Sequence, residues 1–96
     1  MSKLRKAAEG QACVRCGAND GTVVGAHYTG VRRINYGGGF GIKVNDLCIA
    51  HLCARCHRDM DTLSRDKESR WGHSEMFQHY ILLTLIRLLE QGVLHV

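Results

Sequence analysis

Leu52-Cys53-Ala54-Arg55-Cys56-His57-Arg58-Asp59-Met60-Asp61 is the stretch that decides the fold. Cys53 and Cys56 have the Cys-x-x-Cys spacing of a metal knuckle, and Cys13 and Cys16 show the same spacing earlier in the chain. Two such pairs match a tetrahedral structural zinc site, in which each knuckle presents two thiolates to one ion. His57 follows the second pair directly and Asp61 stands at i+4 from it. On a helix the two share one face and could hold a second, harder ion.

Outward from this stretch, Cys53 to about Leu63 reads as a helix. Leu47–Leu52 reads as a short apolar strand, and Thr22–Tyr28 as a β-branched strand with His27 near its end. Between the strands, Thr29–Asn45 carries Gly30, Gly37, Gly38, Gly39 and Gly41. This is a loop whose backbone can approach a ligand closely, although it lacks the Gly-Lys-Ser/Thr ending of a phosphate-binding loop. Strand, loop, strand and helix thus form one supersecondary unit over about residues 22–63. Upstream, Leu4–Glu9 is a short helix closed by Gly10, and Cys13–Gly17 is the first knuckle.

Downstream, a second helix is expected from about Ser74, as N-cap, to Gln91, with Gly92 as its stop. Phe77, Tyr80, Ile81, Thr84, Leu85, Leu88 and Leu89 make one wide stripe on it, while Met76, Leu83 and Ile86 lie on other faces. A helix apolar nearly all round is buried or shared, and in so short a chain a homodimer is the simplest cover. The fold class is α+β, a single domain over 1–96.

At 96 residues the chain buries a modest core, so a staple is expected. Five cysteines would leave one unpaired in a disulfide framework, and the paired spacing favours zinc or redox chemistry. A thiol redox protein would need a βαβ pattern that is missing. The net charge of +4 suits a polyanion such as DNA. Lys3, Arg5 and Lys6 cluster at the start, Arg32, Arg33 and Lys43 flank the glycine-rich loop, and Arg55 and Arg58 sit beside the second knuckle. The polar start lacks the apolar stretch of a signal peptide, and no run is long enough to span a bilayer, so a cytoplasmic location without a membrane partner is expected.

Ala26-His27, Asp46-Leu47 and Leu52-Cys53-Ala54-Arg55-Cys56-His57 together resemble the His-Asn-His, or ββα-metal, nucleases. More closely the chain is similar to the YbcO-type prophage nuclease family. Leu4-Arg5-Lys6-Ala7-Ala8, Ala54 through Asp61, and Gln91-Gly92-Val93 fall where that family has similar segments, so the likeness covers nearly the whole chain. The resemblance implies a zinc-stapled ββα-metal domain and a metal-dependent DNA endonuclease of phage or prophage origin with low sequence specificity. It implies His27 as general base, and His57 and Asp61 as ligands of a catalytic Mg²⁺, Mn²⁺, Ni²⁺ or Zn²⁺, beside the structural Zn²⁺ on Cys13, Cys16, Cys53 and Cys56. The middle Asn of the pattern is replaced by Asp46 or by the adjacent Asn45, and Ala26 stands where many such nucleases carry a further ligand. Arg32, Arg33, Lys43 and Arg58 would track the DNA backbone. The rival reading is a non-catalytic zinc-ribbon module that binds nucleic acid with the same cysteines and basic patch.

Overall fold

The two strands that the sequence outlines pair antiparallel, and every other element is placed by that pair. In the computed structural model, which describes residues 3–95, β1 (Val24–His27) lies against β2 (Ile49–Leu52), with Val24 opposite Leu52 and His27 opposite Ile49. Residues 1–2 and 96 of the expected domain lie outside the described residues. The element order is α1 (Lys3–Lys6), β1, a 3₁₀ turn (Arg33–Tyr36), β2, α2 (Ala54–Ser64) and α3 (Arg70–Glu90). The architecture is therefore a small α+β domain with a two-stranded sheet.

Each strand is shorter than the run expected to form it because polar side chains take over the backbone at the ends. Asp20 Oδ1 accepts from both Thr22 N, at 3.0 Å, and Thr22 Oγ1, at 2.6 Å, which turns the chain before β1. Asn45 Oδ1 accepts from Leu47 N at 2.8 Å, an Asx turn before β2. The long loop is more ordered than its glycines suggest. Its 3₁₀ turn ends at Gly37, whose φ of 89° lets the Gly38 N–H reach Arg33 O at 2.9 Å.

All four residues of β2 are buried, although a two-stranded sheet leaves each strand with an open edge. α3 packs on β2, and α1 packs on β1. The outer edge of β2 is closed by single hydrogen bonds: His51 O accepts from Val14 N at 3.0 Å, and His51 N donates to Thr84 Oγ1 at 3.1 Å. Thr84 is fully buried on α3 and its hydroxyl also donates to Tyr80 O, at 2.9 Å. A threonine that the helical pattern counts as part of the apolar stripe is thus a clamp between α3 and the sheet. Phe77 on α3 and Tyr28 after β1 meet edge to face at 5.5 Å, and with Leu52, Met60 and Tyr80 they fill the core.

α3 begins four residues before the expected Ser74. Ser74 Oγ donates to Arg70 O at 2.6 Å inside the helix and accepts from Val31 N at 2.9 Å, so it ties the loop to α3 instead of capping it. The expected C-terminal stop holds: Gly92 has φ 75°, Gly92 N reaches Leu89 O at 3.2 Å and Val93 N reaches Leu88 O at 3.0 Å, the Schellman arrangement. α1 is shorter than Leu4–Glu9, because so short a helix propagates poorly and tightens into i→i−3 bonds from Ala8 to Arg5 and Glu9 to Lys6. Met76, Leu82, Leu83, Ile86 and Leu89 stay exposed along α3. Among the described residues no helix is long and apolar enough to cross a membrane.

Thr84→Val keeps the shape of the clamp but leaves the buried His51 N–H without an acceptor. It should lower unfolding stability by about 1–3 kcal/mol, whereas Thr84→Ser, which keeps the hydroxyl, should lose less. Chemical denaturation of the two variants checks this, and equal losses would remove the hydrogen bond as the cause.

Candidate functional site

The first knuckle is shaped by backbone bonds. Cys13 N donates to Ala18 O at 2.8 Å, Gly17 N donates to Cys13 O at 2.9 Å, and Gly17 takes the left-handed φ of 81° that lets the chain reverse. The second knuckle is the start of α2, where Cys53 occupies the N-cap position without any side-chain cap bond of its own. Val14 N on His51 O holds the first knuckle against the end of β2 that feeds the second. The four sulfurs consequently lie within 4.8 Å of one another, with Cys16 Sγ and Cys53 Sγ 3.7 Å apart.

That spacing separates the two chemistries left open by the sequence. A disulfide needs about 2.05 Å between sulfurs. Thiolates at about 2.3 Å from one tetrahedral ion stand about 3.8 Å from each other. All five cysteines are free thiols, and the cluster fits a structural zinc ion. Cys48 stands outside it, half-buried, its thiol pushed up by burial.

The electrostatics of the cluster are those of groups that cannot all ionise without a cation. Burial alone would raise the Cys13 thiol, but bonds from the backbone N–H groups of Cys53, Cys16 and Arg15 outweigh it and bring it down to about 6. Burial pushes Cys56 up to about 12, and the Arg15 guanidinium offsets part of that. Zinc with four thiolates carries two negative charges. Arg15, bonded to Cys56 and to Asp59 at 3.1 Å, and Arg55, bonded to Cys56, supply two positive ones. The sequence offers no sign of the role of Arg15, which follows from the approach of the knuckle to α2.

His57, Asp61 and His27 meet around a separate cleft of about 600 Å³, which also takes in Arg33, Lys43 and the tip of the glycine-rich loop. His27 ends β1. Its Nε2 lies 2.8 Å from Asp46 Oδ1, and Asp46 Oδ2 lies 3.5 Å from Arg5 Nε. A carboxylate paired with arginine only accepts, so the proton of a neutral His27 sits on Nε2 and the lone pair on Nδ1. Between the two candidates for the middle position, Asp46 meets the histidine, while Asn45 is used in its turn. Arg5 was legible only as one of a basic cluster.

Opposite, α2 carries His57 and Asp61 at i and i+4, with His57 Nε2 and Asp61 Oδ2 3.8 Å apart. An ion about 2.1 Å from each could span that separation, so this pair could hold a divalent cation. Ala26 is buried and offers no ligand. Arg33 and Lys43 line the cleft; Arg32 and Arg58 are exposed and do not. Phe40 sits fully exposed between Gly39 and Gly41, on a tip closed by the Gly39 and Ile42 pairing. Its glycine neighbours marked the loop, but nothing in the sequence marked the cleft as its place.

No family model, no curated protein and no solved structure matches this chain.

Purified protein should carry one zinc ion per chain by elemental analysis, and serine at any of Cys13, Cys16, Cys53 or Cys56 should cost both the metal and the fold. Because Cys56 holds its proton at neutral pH without metal, loading zinc should acidify a weakly buffered solution, and the apparent zinc affinity should rise with pH. A metal-free, folded chain in calorimetry would contradict the zinc assignment.

Proposed function

We propose that the chain is a metal-dependent DNA endonuclease of the ββα-metal, His-Asn-His type, of phage or prophage origin. The observation that carries this reading is a histidine held at 2.8 Å by a carboxylate on one side of a cleft, with His57 and Asp61 on the other. β1, the glycine-rich loop and α2 supply its walls, and β2 holds β1 in place from behind by strand pairing.

In this reading a phosphodiester enters the cleft against Arg33 and Lys43, whose charges bind the backbone without reading bases, so sequence specificity is low. His27 Nδ1 takes a proton from water as the water oxygen bonds to phosphorus and the bond to the 3′ oxygen breaks, leaving a 5′ phosphate. Asp46, itself held by Arg5, fixes the His27 tautomer and stabilises the imidazolium that forms. His57 and Asp61 would hold a divalent ion, which would supply positive charge for the phosphate and the departing oxygen. Arg32 and Arg58 would contact DNA outside the cleft.

Two protein ligands hold an ion weakly, and this separates the roles experimentally. His27→Ala should reduce cleavage about a hundredfold to ten-thousandfold with zinc content and DNA affinity retained. His57→Ala and Asp61→Ala should also cut slowly, but raising Mg²⁺ or Mn²⁺ should recover part of their activity and none of that of the His27 variant. Nicking of plasmid DNA reads all three. If the wild-type chain binds DNA and keeps its zinc yet cuts nothing with Mg²⁺, Mn²⁺, Ni²⁺ or Zn²⁺, the non-catalytic zinc-ribbon module replaces the enzyme.

A second copy of the chain belongs to the same reading. Leu83 and Ile86 lie beside the first knuckle along a groove with Ala12, Val14 and Gly17, so the exposed apolar side of α3 continues onto a second element. Leu83→Glu and Ile86→Glu should shift a dimer to monomer in sedimentation; a wild-type monomer at micromolar concentration would remove the dimer.

A further inference from the structure

A second cavity, of about 380 Å³, opens between the start of the glycine-rich loop and the first turns of α3, and it shares Thr29 and Arg33 with the cleft of His27. Its volume is at the low end of small-ligand sites, roughly 300–1,000 Å³. Three independent features give it a chemistry. Arg33 and Arg70 are exposed cations at its wall, and neither takes part in an ion pair among the described residues. His73 lines it at 4% exposure, and both of its ring nitrogens are buried without a hydrogen-bond partner. Trp71, 61% exposed, stands on the same rim.

Two unsatisfied nitrogens in one buried ring are costly unless a ligand completes them. Burial lowers the His73 pKa, with the charge of Asp61 opposing part of the fall, so the ring is neutral and offers one donor and one acceptor. The two nitrogens point apart, so a nucleobase edge, which carries both donors and acceptors, can complete one of them in either tautomer. The Arg33 and Arg70 guanidiniums match a phosphate, and an exposed indole offers a face on which a base can stack. The cavity wall is fixed: Ser74 Oγ accepts from Val31 N, and Gly30 lies so close to the Tyr28 hydroxyl that any side chain there would collide with it.

We propose that this cavity is a binding site for one unpaired nucleotide of a DNA strand, its phosphate on Arg33 and Arg70 and its base between His73 and Trp71. The site lies next to the cleft, so the inference rests on the nuclease reading and deepens it: the favoured substrate is DNA with an unpaired nucleotide beside the cut, such as a flap or a gap, in preference to intact duplex.

Trp71 is the only tryptophan in the chain, and it therefore reports on the site directly. Without added divalent ion, so that nothing is cut, a thymidylate tetramer and a hairpin bearing a single-stranded flap should quench its fluorescence saturably. A blunt, fully paired hairpin should bind, by anisotropy of an end label, with little quenching. Arg70→Gln, at an exposed position, and His73→Phe, which keeps the ring, should each weaken tetramer binding about tenfold, within the range of one lost base or phosphate contact. Duplex affinity should stay within about twofold. The proposal is overturned if the tetramer fails to bind, if it binds without quenching, or if both variants bind it as tightly as the wild type. Cleavage of duplex and flapped DNA at equal rates with no quenching would leave the nuclease reading standing and remove this one. Quenching by the tetramer with no cleavage by any ion would do the reverse.

Discussion

The convergence of four thiols on one point is the constraint on which the remaining structure depends. Cys13 and Cys16 belong to a segment with no regular secondary structure, and Cys53 and Cys56 begin α2. Joining them fixes the first knuckle to the sheet edge and sets the direction in which α2 leaves it. A structural zinc site contributes about 10–16 kcal/mol, comparable with the whole stability of a domain, about 5–15 kcal/mol. With a two-stranded sheet and a modest core, the chain has no other interaction of that size. His57 follows the last thiol directly, so the orientation of the candidate ion pair on α2 is inherited from the cluster.

The histidine side of the cleft is built differently. His27 is placed by strand pairing, and its proton by a relay of charge from Arg5 through Asp46. One wall thus depends on the cysteine cluster and the other on a salt bridge reaching from the first helical turn. The loop between them is the adaptable part. Its backbone is anchored at both ends, by Ser74 on Val31 and by Tyr36 O accepting from Asn45 N at 2.8 Å, while the tip with Phe40 makes only the local Gly39 and Ile42 bonds.

Much of this was legible in the sequence because it rests on local spacing. Cys-x-x-Cys pairs and the i, i+4 relation of His57 and Asp61 are properties of neighbouring residues, as is the stop at Gly92. The strand positions came from one β-branched and one apolar run, but their ends were overestimated, since Asp20 and Asn45 compete for backbone groups at a range that hydrophobic patterning ignores. Ser74 misled for a related reason. A serine before an apolar run fits an N-cap, and only the tertiary partner Val31 shows that it is used as a bridge. What the sequence could not show were pairings across long separations: Arg5 with Asp46, Arg15 with Cys56 and Asp59, Thr84 with His51. These depend on the closed fold, and no periodicity encodes them. The buried, unsatisfied ring of His73 belongs with them, because burial is a property of the assembled chain.

The closeness of the sulfurs has a further consequence, in the chemistry of oxidation. Cys16 Sγ and Cys53 Sγ, 3.7 Å apart, need approach by less than 2 Å to reach bonding distance, about 2.05 Å. A thiol held down at about 6, as Cys13 is, is largely thiolate at neutral pH and therefore the form that attacks in thiol exchange. A zinc ion held by the cluster would occupy those same electron pairs. Such a metal would be a protecting group as well as a staple: a chain stripped of it in air would pair its knuckles covalently at a separation too short for the ion to re-enter, and the native cluster would then be restored by a reductant together with zinc, and by neither alone.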